Sequence, residues 1–377
     1  MFAYRQFFSA ALFSAAMLGG SSLVASAQDD HISGGAKRAV FVQTDDPAGN
    51  QVMAYYRANN GVLTLAATYD TGGKGARLNG AAVDPLASQG SLVYDSEHSL
   101  LIGVNAGSDS VYAFHVEGDR LSQREVLSSH GSLPVSVGVH DDLAYVANAG
   151  GEGGVHGYRI DDGRLTSIRG SSRSLGLTPF TDATQFLHTP GQVSFSPDGE
   201  HLIVTTKANG SHIDVFGVRE DGLLTDTPVA NPSATPVPFG ISFDPSGRLV
   251  IAEAGASSVS TYVLRDNGTL TTIGSQPDNQ AALCWVAAAD GNFFGANAGS
   301  GNVSGFHLNA DGRPSLIGTT SVGAGPIDLS ASRGGEFLYV QLGGAGSVAE
   351  LKVSDNGALT LIGTIATRAG QEGIVAV

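Results

Sequence analysis

Few side chains in this sequence stand where they could do chemistry, and Glu253 is the first of them. It ends a run of small apolar residues, Val250, Ile251 and Ala252. A carboxylate facing a wall of low polarity holds its proton more tightly and can serve as general acid or base. The alternative is a solvated or hydrogen-bonded carboxylate at a strand end. Lys207, one of only four lysines, follows the run His201–Thr206 in a turn. It can pair with Glu253 or with an anionic ligand, although a surface turn is the default place for a lysine. His188 lies on a long loop, where it is either solvated or a base near neutral pH. Gln192 can orient a carbonyl with its amide hydrogens but cannot transfer a proton. Trp285, the only tryptophan, offers a flat face to a sugar or planar ring, or packs between structural units. Cys284, the single cysteine, has no activating neighbour in sequence and reads as an inert buried thiol.

These residues belong to a repeat. The stretch Pro190–Val218 reads as three short strands: Gly191–Ser196, His201–Thr206 and His212–Val218. The turn Pro197-Asp198-Gly199 separates the first two, with Pro and Gly suited to the dihedrals of a tight turn. Period-two alternation bounded by such turns marks strands, and no segment sustains a helical period. The third strand recurs from Val52, Val111, Val155, Ile213, Val259, Val303 and Val348, followed by Gly-x-Leu in five copies, by Leu121 alone after Val111 and by Gly312 alone after Val303. A unit of about 45 residues with four strands is the signature of a propeller blade.

The expected fold is therefore an all-β, seven-bladed β-propeller with antiparallel strands a to d in each blade. In the Pro190 copy, d is expected to begin at Leu223. The first blade lacks strand a, and Gly373–Val377 at the other end supplies it, closing the ring and removing its open edges. Two rings of residues follow. The starts of strands a contribute Ser91, Ser136, Gln192, Gly240, Trp285, Asp328 and Gly373 to the channel mouth. The ends of strands b contribute Thr44, Asn105, Asn148, Thr206, Glu253, Asn297 and Leu342. Asn105, Asn148 and Asn297 are either substrate ligands or turn formers, since Asn before Ala-Gly favours a turn. The d–a connections Asp70–Gln89 and Arg169–Pro190 are long, and long loops on a rigid scaffold are where function concentrates.

Composition narrows the partners. Gly accounts for 52 of 377 residues, and the net charge of −15 with only 20 Lys and Arg disfavours nucleic acid and anionic membrane. One cysteine excludes an intramolecular disulfide framework. Residues 1–27 read as a secretory signal peptide with Ala25-Ser26-Ala27 at the cleavage site, the alternative being an N-terminal anchor. Residues 28–36 then form a short linker and 37–377 the propeller, expected as a monomer in a periplasm or outside the cell. No cofactor is called for. No motif demands a metal, although Glu253, Asp328 and the channel asparagines could offer oxygen ligands to calcium.

The copies PFGISFDPSGRLVIAEAG and GPIDLSASRGGEFLYV, with the Pro190 unit, resemble the lactonase family of seven-bladed propellers. That family includes 6-phosphogluconolactonases and carboxymuconate-cyclising enzymes. The resemblance implies a catalytic His, two Arg and a Glu. Carried across, Gln192 stands at the His, Phe239 at or beside the first Arg, and Ala298 at the second, while Glu253 matches the Glu. Loss of both guanidiniums takes away the natural partners of a phosphorylated or carboxylated substrate. Two functions follow: an exported hydrolase or cyclase of a neutral or weakly charged lactone or sugar-derived acid, with Glu253 catalytic and Gln192, Trp285 and Asn297 positioning; or a non-catalytic propeller binding a ligand or protein on its loop face.

Overall fold

The structure, a computed structural model, describes residues 38–377, so the expected signal peptide and the whole of the expected linker lie outside the described residues. Among the described residues there are seven antiparallel sheets, each the expected blade. Their inner strands are Ile374–Ala376 (blade 1), Leu92–Asp95, Pro134–His140, Val193–Phe195, Pro238–Phe243, Leu283–Ala289 and Pro326–Ala331 (blade 7). Blade 1 is closed as expected: Ile374, Val375 and Ala376 pair with Val42, Phe41 and Val40. No described helix is long and apolar enough to cross a membrane.

The period-two pattern has a simple cause. Each b strand lies between two neighbouring blades, so its alternate side chains fill two different interfaces. In Phe337–Leu342 of blade 7, Phe337 and Tyr339 cluster with Val40, Val42 and Tyr55 of blade 1. Leu338, Val340 and Leu342 cluster with Phe294 and Ala296 of blade 6 instead. The outer d strands bury only one side, as the pattern of Leu63–Asp70 illustrates.

The Gly-x-Leu signal also has a structural reason. Its glycines occupy the c–d turn at positive φ, and their carbonyls accept hydrogen bonds from the preceding blade. Tyr339 Oη donates to Gly61 O at 2.7 Å, Tyr145 Oη to Gly222 O at 2.7 Å and Thr261 Oγ1 to Gly312 O at 2.8 Å. One expectation needs correcting. Strand d of blade 4 is Val229–Pro232, not the segment from Leu223. Leu224 makes only an isolated bridge to Val218, because the turn ends in a detour through Asp226 before pairing resumes.

Candidate active site

The two long connections meet over the channel mouth, on the face that also carries the b–c turns. Asn79 N–H donates to Gln185 Oε1 at 2.9 Å and Asn79 Nδ2 to Thr181 O at 3.0 Å. The first connection then enters the mouth. Gln89 reaches across to the inner strand of blade 6, its Nε2 donating to Val286 O at 2.8 Å and its Oε1 accepting from Val286 N–H at 3.0 Å. Its backbone N–H donates to Gly191 O at 2.9 Å, and its carbonyl accepts from Ser136 Oγ at 2.7 Å. Gly240 has to be glycine for this crossing, since a Cβ there would lie 2.3 Å from Gln89 Oε1.

A cavity of about 320 Å³ remains between these connections and blades 4 to 6. Its wall is almost wholly apolar: Val83, Phe186, Phe239, Trp285 and Ala298 contribute, and the charged members are Asp84 and Lys207. Trp285 packs edge-on to Phe239 with centroids 5.1 Å apart, and its Nε1–H donates to Ser88 O at 2.7 Å.

Lys207 is the surprise. Expected at a surface turn or beside Glu253, it is 1% exposed. Its Nζ donates to Ala87 O at 2.6 Å, Phe186 O at 2.6 Å and Thr189 Oγ1 at 2.8 Å, tying both connections to blade 4. Burial pulls its pKa down to about 7, partly opposed by Asp84 and Glu372. Asp84 carries the opposite shift: burial raises its carboxyl, while the Ala87 and Leu86 amides and Lys207 favour the charged form. Cys284 also lines the cavity, its thiol pushed up to about 12 by burial and by Asp84, which leaves it protonated and unreactive.

The other expected site residues are dispersed. Glu253 is fully buried and its carboxylate is enclosed by hydroxyls rather than facing the cavity. Oε1 accepts from Ser233 Oγ at 2.6 Å and Tyr262 Oη at 2.5 Å, and Oε2 from Thr235 Oγ1 at 2.6 Å and Ser260 Oγ at 2.5 Å. The expected Lys207–Glu253 pairing is absent, since each group is engaged elsewhere. Glu253→Ala takes the acceptor from four hydroxyls, those of Ser260 and Tyr262 buried, and is expected to cost about 3 kcal/mol, read as a lowered denaturant midpoint.

Asn105 and Asn297 behave similarly. Asn105 Oδ1 accepts from Thr71 Oγ1 at 2.6 Å and from Asn50 Nδ2 at 3.0 Å, joining blades 1 and 2. Asn297 Nδ2 donates to Asn302 Oδ1 and Ser304 Oγ, both at 2.8 Å. Asn148 Nδ2 donates to Ser129 O at 3.1 Å. Gln192 Oε1 accepts the Ile241 N–H at 2.6 Å, bracing blades 4 and 5. His188 is stacked on Phe180 at 3.7 Å, behind Leu187 rather than on the cavity wall. Asp328 is buried in the channel, its carboxylate taking the Leu329 amide at 2.9 Å and the Ile374 amide. Among the described residues no group of three His, Cys, Asp or Glu is arranged to hold a metal ion.

Sequence reasoning missed Asp84 and Glu372. The available signals were a carboxylate inside a long d–a connection and an acid immediately before Gly373 of the channel ring.

No protein-family model matches the chain, and no curated protein matches it. Solved structures do. The Pseudomonas aeruginosa periplasmic gluconolactonase PpgL superposes with a TM-score of 0.70 at 16% identity, over 90% of this chain and 99% of that one. A Lactobacillus plantarum protein gives 0.70 at 18% identity over the same shares. A provisionally assigned 6-phosphogluconolactonase of Bacteroides fragilis gives 0.69 at 15% identity, over 92% and 99%. What the chain has in common with these proteins, at such identities, is the seven-bladed propeller fold over nearly its whole described length.

Proposed function

We propose that the cavity is the site of a lactone hydrolase whose substrate is neutral and largely apolar, with Asp84 as the acid–base group. The observation that carries this reading is the wall. Phe239 and Ala298, at the positions where the resemblance implies guanidiniums, both line the cavity. A phosphate or carboxylate would find no arginine there, whereas a hydrophobic ring would meet Phe239, Trp285 and Phe186. A volume of about 320 Å³ sits at the small end of ligand sites and suits one ring with a short side chain. The gluconolactonase neighbour supports the reaction class, and its periplasmic location, with the signal-like first 27 residues, supports export.

The chemistry asked of the residues is modest. Asp84 lines the cavity, so its carboxyl is placed to take a proton from a water bound there. The water oxygen bonds to the lactone carbonyl carbon as that proton moves to Asp84. The ring C–O bond then breaks, and Asp84 returns the proton to the departing alkoxide, leaving a hydroxy acid. Lys207, with its three bonds to the connections, holds positive charge beside Asp84 and favours its ionised form.

A second reading, ligand binding without turnover, is favoured by the engagement of Lys207 Nζ and Trp285 Nε1 with backbone carbonyls. Proton release from γ- and δ-lactones of graded hydrophobicity, with gluconolactone and its 6-phosphate as controls, separates the two. Turnover is expected for the apolar members, with kcat lowered at least about 100-fold by Asp84→Asn. Quenching of Trp285 fluorescence without turnover selects the binding reading. Loss of turnover in Glu253→Gln but not in Asp84→Asn would return the chemistry to Glu253.

A further inference from the structure

Behind Asp84 lies Glu372, from the segment that leads into the closing strand, and the lactone reading leaves it unused. Both are buried, at 5% and 0% exposure. Glu372 Oε2 accepts the Leu86 N–H at 2.8 Å, and Oε1 lies against the Ser88 hydroxyl, whose one proton is also placed to go to Val135 O at 2.7 Å. Asp84 Oδ1 accepts the N–H groups of Leu86 at 3.1 Å and Ala87 at 2.8 Å. The Leu86 N–H is thus shared between Asp84 Oδ1 and Glu372 Oε2, which sets the two carboxyls side by side, close enough to interact directly. Two ionised carboxylates have no proton to place between them, so a hydrogen bond between Asp84 and Glu372 requires one retained by the pair itself.

The surroundings point the same way. Asp45, from blade 1, takes Gln43 Nε2 at 2.9 Å and the Glu372 amide, and has a second unpartnered oxygen. Asp328 of blade 7 is near enough for the Asp84 charge to raise it further. Against these four carboxyls stand Lys207 from blade 4 and, facing Asp45, Arg77 from the connection itself. Cys284 of blade 6 stays a neutral thiol. Four like charges packed around one buried ammonium cannot all ionise near neutrality.

We infer that Glu372 is a positioning residue for Asp84: the two share a single proton, and Glu372 both orients the Asp84 carboxyl at the cavity wall and sets when it ionises. Proton-sharing pairs of this kind separate the roles of two chemically equal carboxyls. Burial and the neighbouring carboxylates raise both groups, in keeping with that assignment.

The test has two arms, and only the kinetic one rests on the lactone reading. Infrared difference spectra at pH 7 read the carbonyl stretch of protonated carboxyls directly. Glu372→Gln and Asp84→Asn are each expected to remove one protonated carboxyl, and the double variant no more than one. Removal of two by the double variant, or of none by either single, overturns the shared proton whether or not the protein hydrolyses lactones. In the kinetic arm, Glu372→Gln should move the midpoint of the kcat/KM profile down by about one pH unit or more, because a like charge is gone and an amide donor replaces it. An unchanged midpoint overturns the inference. Should Glu372→Gln not fold, Asp84→Asn carries the infrared arm by itself: loss of no protonated carboxyl in that variant overturns the shared proton equally.

Discussion

Lys207→Met is expected to destabilise the protein by about 3–5 kcal/mol, the size seen when one partner of a buried charged set is removed. Met fills much the same volume, so packing is not what is lost. The loss is electrostatic and local. The carbonyls of Ala87 and Phe186, at 2.6 Å from Nζ, would be left buried without their donor. Asp84 and Glu372 would lose the cation that opposes their burial. The residue is held in the left-handed region at φ 52°, a conformation costly for a side chain with a Cβ. That cost persists in the Met variant with no ion pairing to offset it. Denaturant unfolding of the two proteins at pH 6, where Lys207 is charged, gives the measurement. Equal midpoints would show that the two long connections are held by something other than this lysine.

Stability is expected to fall as pH rises from 5 to 7, opposite to the usual behaviour of carboxylate-rich proteins, and Asp328→Asn should reduce that fall. Burial raises the Asp328 carboxyl from 3.8 to about 8, so the folded state binds a proton that the unfolded chain has already released. The raised group contributes its full stability below the unfolded value near 4, and loses it progressively as pH climbs to about 8. Within that window each retained proton is worth about 1.4 kcal/mol per pH unit. Asp45, Asp84 and Glu372 are displaced in the same direction, so the Asn variant flattens the slope without abolishing it. Lys207, lowered to about 7, acts with the opposite sign and only from pH 7 upward, which is why the comparison stops there. A slope identical in wild type and Asp328→Asn would mean that Asp328 ionises in the folded protein as it does in the unfolded one.

The candidate site was legible only in outline. Long d–a connections pointed to the face that carries the cavity, and the Phe239 and Ala298 departures both fall on its apolar wall. Trp285, Lys207 and Asp328 were singled out from their positions in the repeat, and all three lie in or beside the mouth. Glu253 was singled out by the same logic and lies elsewhere. Its strand-end position is equivalent to that of Asn105 and Asn297, and side chains there bond to the c strand and the incoming connection instead of the channel. A register position tells which residues are equivalent among blades, but not whether a serine and tyrosine on the next strand will enclose the carboxylate.

Fold and ring closure were determined by the sequence alone. Period-two alternation is a local property that each b strand must satisfy toward both neighbouring blades, so seven copies write the same message seven times. GIVAV at the C-terminus could only complete the blade that lacked its inner strand. Tertiary structure alone decided the protonation chemistry. Asp84 and Glu372 are separated by nearly the whole described chain and become partners only because the first connection crosses the channel mouth to meet the segment that closes the ring. Their behaviour depends on the water excluded around them and on the distance to Lys207. Neither quantity is written in the spacing of residues along a chain.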